Sequence, residues 1–334
     1  MMRSKIRSII RILVFFGIGV GIFWLIYRTQ DWKTTFSAII RSKYQWLIFS
    51  ALLGLLSHIS RSIRWRLLLE PLGYKPRLPI LFFSVMIMYF TNLAVPRSGE
   101  FVRCSITSKY EKIPFSTLLG TVFTERIIDI IILLVLIIIA FISQFKVFIE
   151  FLDKHPQMQA KISSLLHSTP FILVGLVVLL FSFIFLYIKR DKIKKTSFYK
   201  RFEKIINQFI SGIKSILSLQ KKWAFILHSL FIWMMYFVMI YVSFKAFDFT
   251  SSLDLLSGLM VFVMASLGMV APSPGGIGTW HFMVIETLFI YGINKDAGKI
   301  FAFAAHETQI LMLITFGILS YLALFFVKPK QKSI

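Results

Sequence analysis

The chain is expected to fold as an all-α polytopic integral membrane protein, with six full spans, two opposed re-entrant hairpins (eight membrane helices by a looser count) and both termini in the cytoplasm. Three observations predict this. Of 334 residues, 57% are hydrophobic and 16% aromatic, a composition foreign to soluble domains. Apolar runs of about 18 or more residues recur, each long enough to cross the hydrocarbon. Two shorter runs stop at segments rich in Pro and Gly. At membrane depth, broken backbone survives only if it is buried in protein or lines a cavity.

In chain order, the first span is Ile9–Tyr27. It follows a basic start and lacks a small-residue cleavage site after Tyr27, so it is expected to be a retained anchor. Trp46–Arg66, Phe115–Phe141, Phe171–Ile188, Trp223–Phe247 and Ile300–Val327 are the other full spans. The shorter run Ile80–Val95 ends in Thr91-Asn92-Leu93-Ala94-Val95-Pro96-Arg97-Ser98-Gly99-Glu100-Phe101-Val102-Arg103. The shorter run Leu255–Val270 ends in Ala271-Pro272-Ser273-Pro274-Gly275-Gly276-Ile277-Gly278-Thr279-Trp280-His281. A helical stretch follows each break, Gly99–Tyr110 and Gly278–Tyr291. Each pair is expected to enter to mid-depth, turn and return. Between the spans, Lys189–Lys222 forms a loop with eleven Lys and Arg residues. In it Phe202, Ile205, Ile206, Phe209, Ile210, Ile213, Ile216 and Leu217 repeat at helical spacing, which predicts an amphipathic helix on the inner leaflet. Residues 1–334 are expected to form one transmembrane domain.

The net charge is +23. Lys and Arg flank the apolar runs, so membrane orientation and anionic headgroups explain them, and without a recognition module no nucleic-acid partner is expected. With the N-terminus inside, the inner segments carry Arg3, Lys5, Arg7, Arg11, Arg61, Arg64, Arg66, Lys75, Arg77, Lys109, Lys112, the basic loop, Lys328, Lys330 and Lys332. The outer segments carry far fewer, among them Lys43, Lys146, Lys154, Lys295 and Lys299. This is the positive-inside pattern. The hairpins then enter from opposite sides. The units Ile80–Phe141 and Leu255–Val327 match in opposite orientation, with Pro three positions before Gly (Pro96/Gly99 and Pro272/Gly275) and an acid in the next span (Glu125 and Glu307). An inverted-topology repeat is the reading; coincidence is the alternative, since Pro and Gly are common in membrane helices. The single cysteine, Cys104, excludes an intrachain disulfide and a thiolate metal cluster. The polar stretches are too short for a soluble catalytic domain, so any chemistry must occur in the membrane or at its edge.

Ionisable residues at membrane depth are costly and usually functional. The first hairpin offers Asn92, Arg97, Glu100 and Arg103. Two guanidinium groups beside a helix N-terminus suit a phosphate; neutralisation of buried carboxylates is the competing role. The next span holds Glu125, Arg126 and Asp129. Glu125 lies about 15 Å along the helix from Phe115, near mid-depth. The two carboxylates are expected to scaffold the arginines or to hold a proton or cation. In the second hairpin, Gly275, Gly276 and Gly278 can present backbone N–H groups to an anion, but the Gly-Lys-Ser/Thr ending of a nucleotide loop is missing. His281, Glu286, His306 and Glu307 match no diagnostic metal spacing, so hydrogen bonding or a pH response is expected of them and no metal. His58, Arg61 and Arg64 are expected to snorkel toward headgroups, with a cavity-facing arginine as the alternative. No hydrolase elbow and no His-Glu-x-x-His motif is present.

Asn92 with Pro96–Arg103, Thr124-Glu125-Arg126-Ile127-Ile128-Asp129 and Pro272–Gly278 together resemble the lysylphosphatidylglycerol synthase transmembrane, flippase-like family. The resemblance covers the chain from the second span to the last. Bifunctional members join a flippase domain to a soluble synthase that transfers lysine from charged tRNA to phosphatidylglycerol. The chain ends at Ile334, so the resemblance implies a stand-alone flippase-like protein of the bacterial inner membrane. The expected activity is translocation of an anionic or aminoacylated phospholipid or related lipid. An intramembrane enzyme acting on a lipid phosphate or polyprenyl-phosphate-linked sugar is the alternative, with Glu125 or His306 as base. Membrane lipids are the expected partners, no cofactor is expected, and a homo-oligomer or an envelope-synthesis partner stays open.

Overall fold

A computed structural model of the protein describes residues 16–153, 156, 219–271 and 273–331. Contacts divide the chain into two compact units, residues 1–144 with 218–334, and residues 145–217. The expected span Phe171–Ile188 and the amphipathic helix at 202–217 lie outside the described residues.

Among the described residues the structure is wholly helical. The helices are α1 (Phe16–Tyr27), α2 (Trp32–Arg41), α3 (Gln45–Leu69), α4 (Leu78–Ala94), α5 (Gly99–Glu111), α6 (Phe115–Asp153), α7 (Lys222–Phe244), α8 (Leu255–Val270), α9 (Thr279–Ile290) and α10 (Lys295–Phe325). Short 3-10 turns occupy Glu70–Leu72 and Pro274–Gly276. The helices α3, α6, α7 and α10 are long and apolar enough to cross a membrane. Large apolar side chains stay exposed along them, including Leu134, Ile138 and Ile142 on α6, Leu227 and Leu230 on α7, and Leu311 and Leu322 on α10. Such extensive apolar surface suits lipid rather than water. The protein is a polytopic helical membrane protein.

Local chemistry sets the helix ends. Asp254 and Asn294 accept the backbone N–H of Ser257 and of Ala297, both at 2.8 Å, and so cap α8 and α10. The carboxyl of Asp254 is held below its usual range by the Ser257 backbone and hydroxyl. Pro79 stands in the first turn of α4, where its missing N–H costs nothing.

In the larger unit, α3 and α7 run antiparallel at close range. Lys43 N bonds the Ala246 carbonyl at 2.9 Å, the Ser50 hydroxyl bonds the Met239 carbonyl at 3.1 Å, and the Ser60 hydroxyl meets His228 Nδ1 at 2.8 Å. Small hydroxyl residues permit such proximity and supply the polar contacts between helices.

The helices α4 and α5 form an antiparallel pair. Asn92 Oδ1 accepts the Gly99 N–H at 2.8 Å, and Thr107 bonds the Ser84 hydroxyl at 3.2 Å. Any Cβ at Gly99 would strike the Met88 carbonyl, so glycine is required by the close approach. The helices α8 and α9 form a second such pair, with Thr279 donating to the Gly268 carbonyl at 2.8 Å.

The feet of the two pairs lie at opposite ends of this unit. Arg77–Glu111 at 2.7 Å joins the feet of α4 and α5, and Lys330–Glu111 at 2.6 Å ties them to the segment after α10. The end of α3 lies at the start of α7, through Lys221–Glu70 at 2.9 Å. The foot of α9 lies at the start of α10, through Lys295–Glu286 at 2.7 Å, and near α6, through Tyr291 to Gln144 at 2.8 Å. The successive helices α3 to α6 have 25, 17, 13 and 39 residues. Those of α7 to α10 have 23, 16, 12 and 31. Four helices in the same order of lengths therefore occur twice.

Candidate functional site

The two helix breaks meet. Leu93 packs against Gly275, and Arg97 Nη2 donates to the Val270 carbonyl at 3.1 Å. Around this meeting point lies a cavity of about 500 Å³. Its walls come from both breaks (Asn92, Pro96, Arg97, Glu100 and Ser273, Gly275, Gly276, Trp280) and from α3, α6, α7 and α10 (His58, Arg61, Arg126, Asp129, Trp233, Tyr236, His306, Gln309).

Arg97 holds the left-handed conformation, with φ of 63°. That region disfavours any residue with a Cβ and costs on the order of 1–3 kcal/mol. The strained residue presents an exposed guanidinium to the cavity. Among the described residues it has no carboxylate partner, only the terminal carbonyl of α8.

Beside the cavity lies a buried charge network. Arg64 grips Asp129 with two bonds, 2.7 and 3.3 Å, and stands 3.5 Å from Glu125. Arg61 bonds Asp129 at 3.2 Å and the Tyr236 hydroxyl at 3.3 Å. Arg103 bonds Glu125 at 2.5 Å and stacks on Trp65 with its guanidinium carbon 4.0 Å from the ring centre. Arg126 reaches Asp129 at 3.5 Å and Glu100 at 3.6 Å. Four arginines thus share three carboxylates, and Arg97 adds a fifth positive charge at the rim. Burial at this depth demands pairing, and the surplus sign is positive.

The structure sorts the expected site residues. Asn92, Arg97, Glu100, Arg126, Asp129, Gly275, Gly276 and His306 line the cavity. Arg103 and Glu125 do not; they are fully buried against each other. Gly278 packs against the Gly19 carbonyl of α1, where a Cβ would collide. The Gly276 N–H donates to the Ser273 carbonyl at 3.3 Å. Glu286 faces away and pairs with Lys295. His281, His306 and Glu307 come together, although no spacing in the chain announces it.

His58, Arg61 and Arg64 depart from the snorkelling expectation, and His58 and Arg61 line the cavity instead. They do not snorkel; each is at most 5% exposed. Asp129 on α6 is within bonding reach of Arg61 and Arg64, and the His58 ring lies 4.3 Å from that of Tyr89. Tyr89 and Tyr236 were not foreseen. Their hydroxyls bond at 3.2 Å, and polar side chains in otherwise apolar helices were their only signal. Gln309 donates to Ser50 at 3.0 Å.

The paired breaks, the intramembrane arginines and the carboxylates on α6 all fall within the stretch that comparison with known proteins picks out. A segment of 94 residues is 30% identical to a UPF0104 membrane protein of Methanocaldococcus jannaschii, covering 27% of this chain and 28% of that relative. No solved structure matches. The family model described as lysylphosphatidylglycerol synthase TM region matches residues 8–317, nearly the whole chain and all of the cavity, and the chain belongs to that family.

Proposed function

We propose that the protein translocates an anionic or aminoacylated phospholipid, or a related lipid, across a bacterial inner membrane. On this reading α4–α5 and α8–α9 are re-entrant hairpins entering from opposite faces, the two four-helix series form an inverted repeat, both termini are cytoplasmic, and residues 1–334 act as one transmembrane domain. The headgroup phosphate occupies the cavity where the tips meet, with Arg97 as its principal partner and Arg61 and Arg126 beside it. The acyl chains stay in lipid along the exposed apolar helix faces. Arg103, Arg64, Glu125 and Asp129 hold the wall rather than the lipid.

The observation that carries this is Arg97, a guanidinium without a carboxylate partner among the described residues, kept in a strained conformation at the contact of the two breaks. Broken helices converging on a charged cavity are the arrangement through which transporters offer one site to either side in turn. The family contributes the lipid-related setting.

The test is a scramblase-type assay with purified protein in liposomes containing fluorescent or native anionic phospholipid. Wild type should move lipid between leaflets without changing its mass, and Arg97→Ala should lower the rate at least tenfold. A lipid product of altered mass would point instead to an intramembrane enzyme. Failure to move any anionic phospholipid or polyprenyl lipid would overturn the proposal.

A further inference from the structure

His281 on α9 is fully buried, and neither ring nitrogen has a hydrogen-bond partner. A buried imidazole in that state forfeits its bonds to water without replacement. Its neighbours are rings: Phe23 at 5.3 Å, Tyr27 and Trp280 at 5.6 Å, and His306 at 4.5 Å between centroids. Next to it, His306 Nε2 bonds the Gly275 carbonyl at 2.9 Å. A carbonyl only accepts, so this nitrogen carries the proton and Nδ1 is left with its lone pair. That buried Nδ1 has no hydrogen-bond partner and stands 3.5 Å from Glu307 Oε1.

Ligand atoms of His281, His306 and Glu307 lie within 4.8 Å of one another. Two lone-pair donors facing each other at 3.5 Å repel unless a cation lies between them. A proton on His306 would bridge that pair alone and leave His281 unpartnered. An ion that takes one atom from each of the three gives both His306 Nδ1 and a His281 nitrogen a partner at once. Donors around a tetrahedral zinc stand about 3.3 Å apart, given metal–nitrogen bonds near 2.0 Å. The His306–Glu307 spacing of 3.5 Å already fits that figure, and an inward movement of His281 by up to about 1.5 Å completes it.

We propose that His281, His306 and Glu307 bind a divalent first-row transition metal of the zinc class. Two imidazoles and one carboxylate suit such an ion and not calcium or magnesium, which prefer all-oxygen shells. The bond from His306 Nε2 to the Gly275 carbonyl is the outer contact that orients a ligating histidine. Glu307, one third exposed, supplies the way in. Gly275 lies at the second break and lines the cavity, so the ion ties that break to α10 and stiffens the cavity wall.

The experiment uses full-length, tag-free protein in nanodiscs, stripped with chelator and then loaded with Zn²⁺ or Co²⁺ in the absence of transported lipid. One equivalent of Zn²⁺ should survive desalting, Co²⁺ should produce visible d–d absorption, and metal should raise the melting temperature. His281→Ala and Glu307→Gln should each weaken binding at least tenfold. Glu307→Gln is conservative and partly exposed, so it carries the test if His281→Ala fails to fold. Absence of bound metal in wild type overturns the proposal, as does undiminished affinity in Glu307→Gln. A failure here leaves lipid movement unaffected as a separate measurement.

Discussion

Arg97 and Asp129 both look like charged residues in an apolar chain, yet they should respond to substitution in opposite ways. Arg97 is strained, exposed to the cavity and unpaired with any carboxylate among the described residues. Arg97→Gly should therefore leave stability within about 1 kcal/mol of wild type, because relief of the left-handed strain offsets the added freedom of the unfolded glycine, while transport falls at least tenfold. Asp129 accepts from both Arg61 and Arg64 in the interior. Asp129→Asn strands these guanidinium groups and should cost about 3–5 kcal/mol, read as a lower melting temperature in detergent. Equal loss of stability in both variants would mean that Arg97 is structural.

At the scale of the element, each hairpin depends on a glycine that lets two helices touch. A Cβ at Gly99 would collide with the Met88 carbonyl, and one at Gly268 would crowd the backbone of Thr279 and Trp280. Gly99→Ala and Gly268→Ala should each cost about 1–3 kcal/mol, the usual penalty for overpacking. Gly120 on α6 has open space around it. Gly120→Ala should be neutral or stabilise by up to about 1 kcal/mol through helix propensity. Thermal denaturation of the three variants side by side separates crowding at the hairpins from a general intolerance of the chain. The ends of these elements were readable beforehand: α8 occupies Leu255–Val270 as expected, and α4, α5 and α9 differ from expectation by one or two residues. Pro, Gly and the capping Asp254 mark those ends chemically. The far end of α6 was not readable. Its apolar character fades through Ser143-Gln144-Phe145-Lys146 while the helix runs on to Asp153, since a helix that leaves the apolar layer needs no apolar sequence to continue.

For the whole molecule, the feet of the two hairpins lie at opposite ends of the larger unit, one beside Lys75 and Lys330, the other beside Lys295. Single cysteines introduced as Lys75→Cys and Lys295→Cys should react with a membrane-impermeant maleimide from opposite faces of intact spheroplasts or inverted vesicles, Lys75→Cys from the cytoplasm and Lys295→Cys from outside. Cys104 is buried and adds little background. Labelling of both from one face would contradict opposed re-entry.

Sequence alone determined the helical membrane character, the positions of the two breaks and the residues most costly to bury, because hydrophobic length, Pro and Gly chemistry and charge asymmetry are local properties. It resembled a family that the whole-chain match then bore out. Only the tertiary structure decided which charges meet. Arg103 lies 22 residues from its partner Glu125, Arg61 lies 68 residues from Asp129, and His306 lies 31 residues from the Gly275 carbonyl. Nothing in local spacing distinguishes an arginine that pairs across helices from one that reaches for headgroups, since both are the same side chain at the same depth. The choice depends on which helices pack together, and that in turn depends on glycines and serines whose role appears only when two backbones come close.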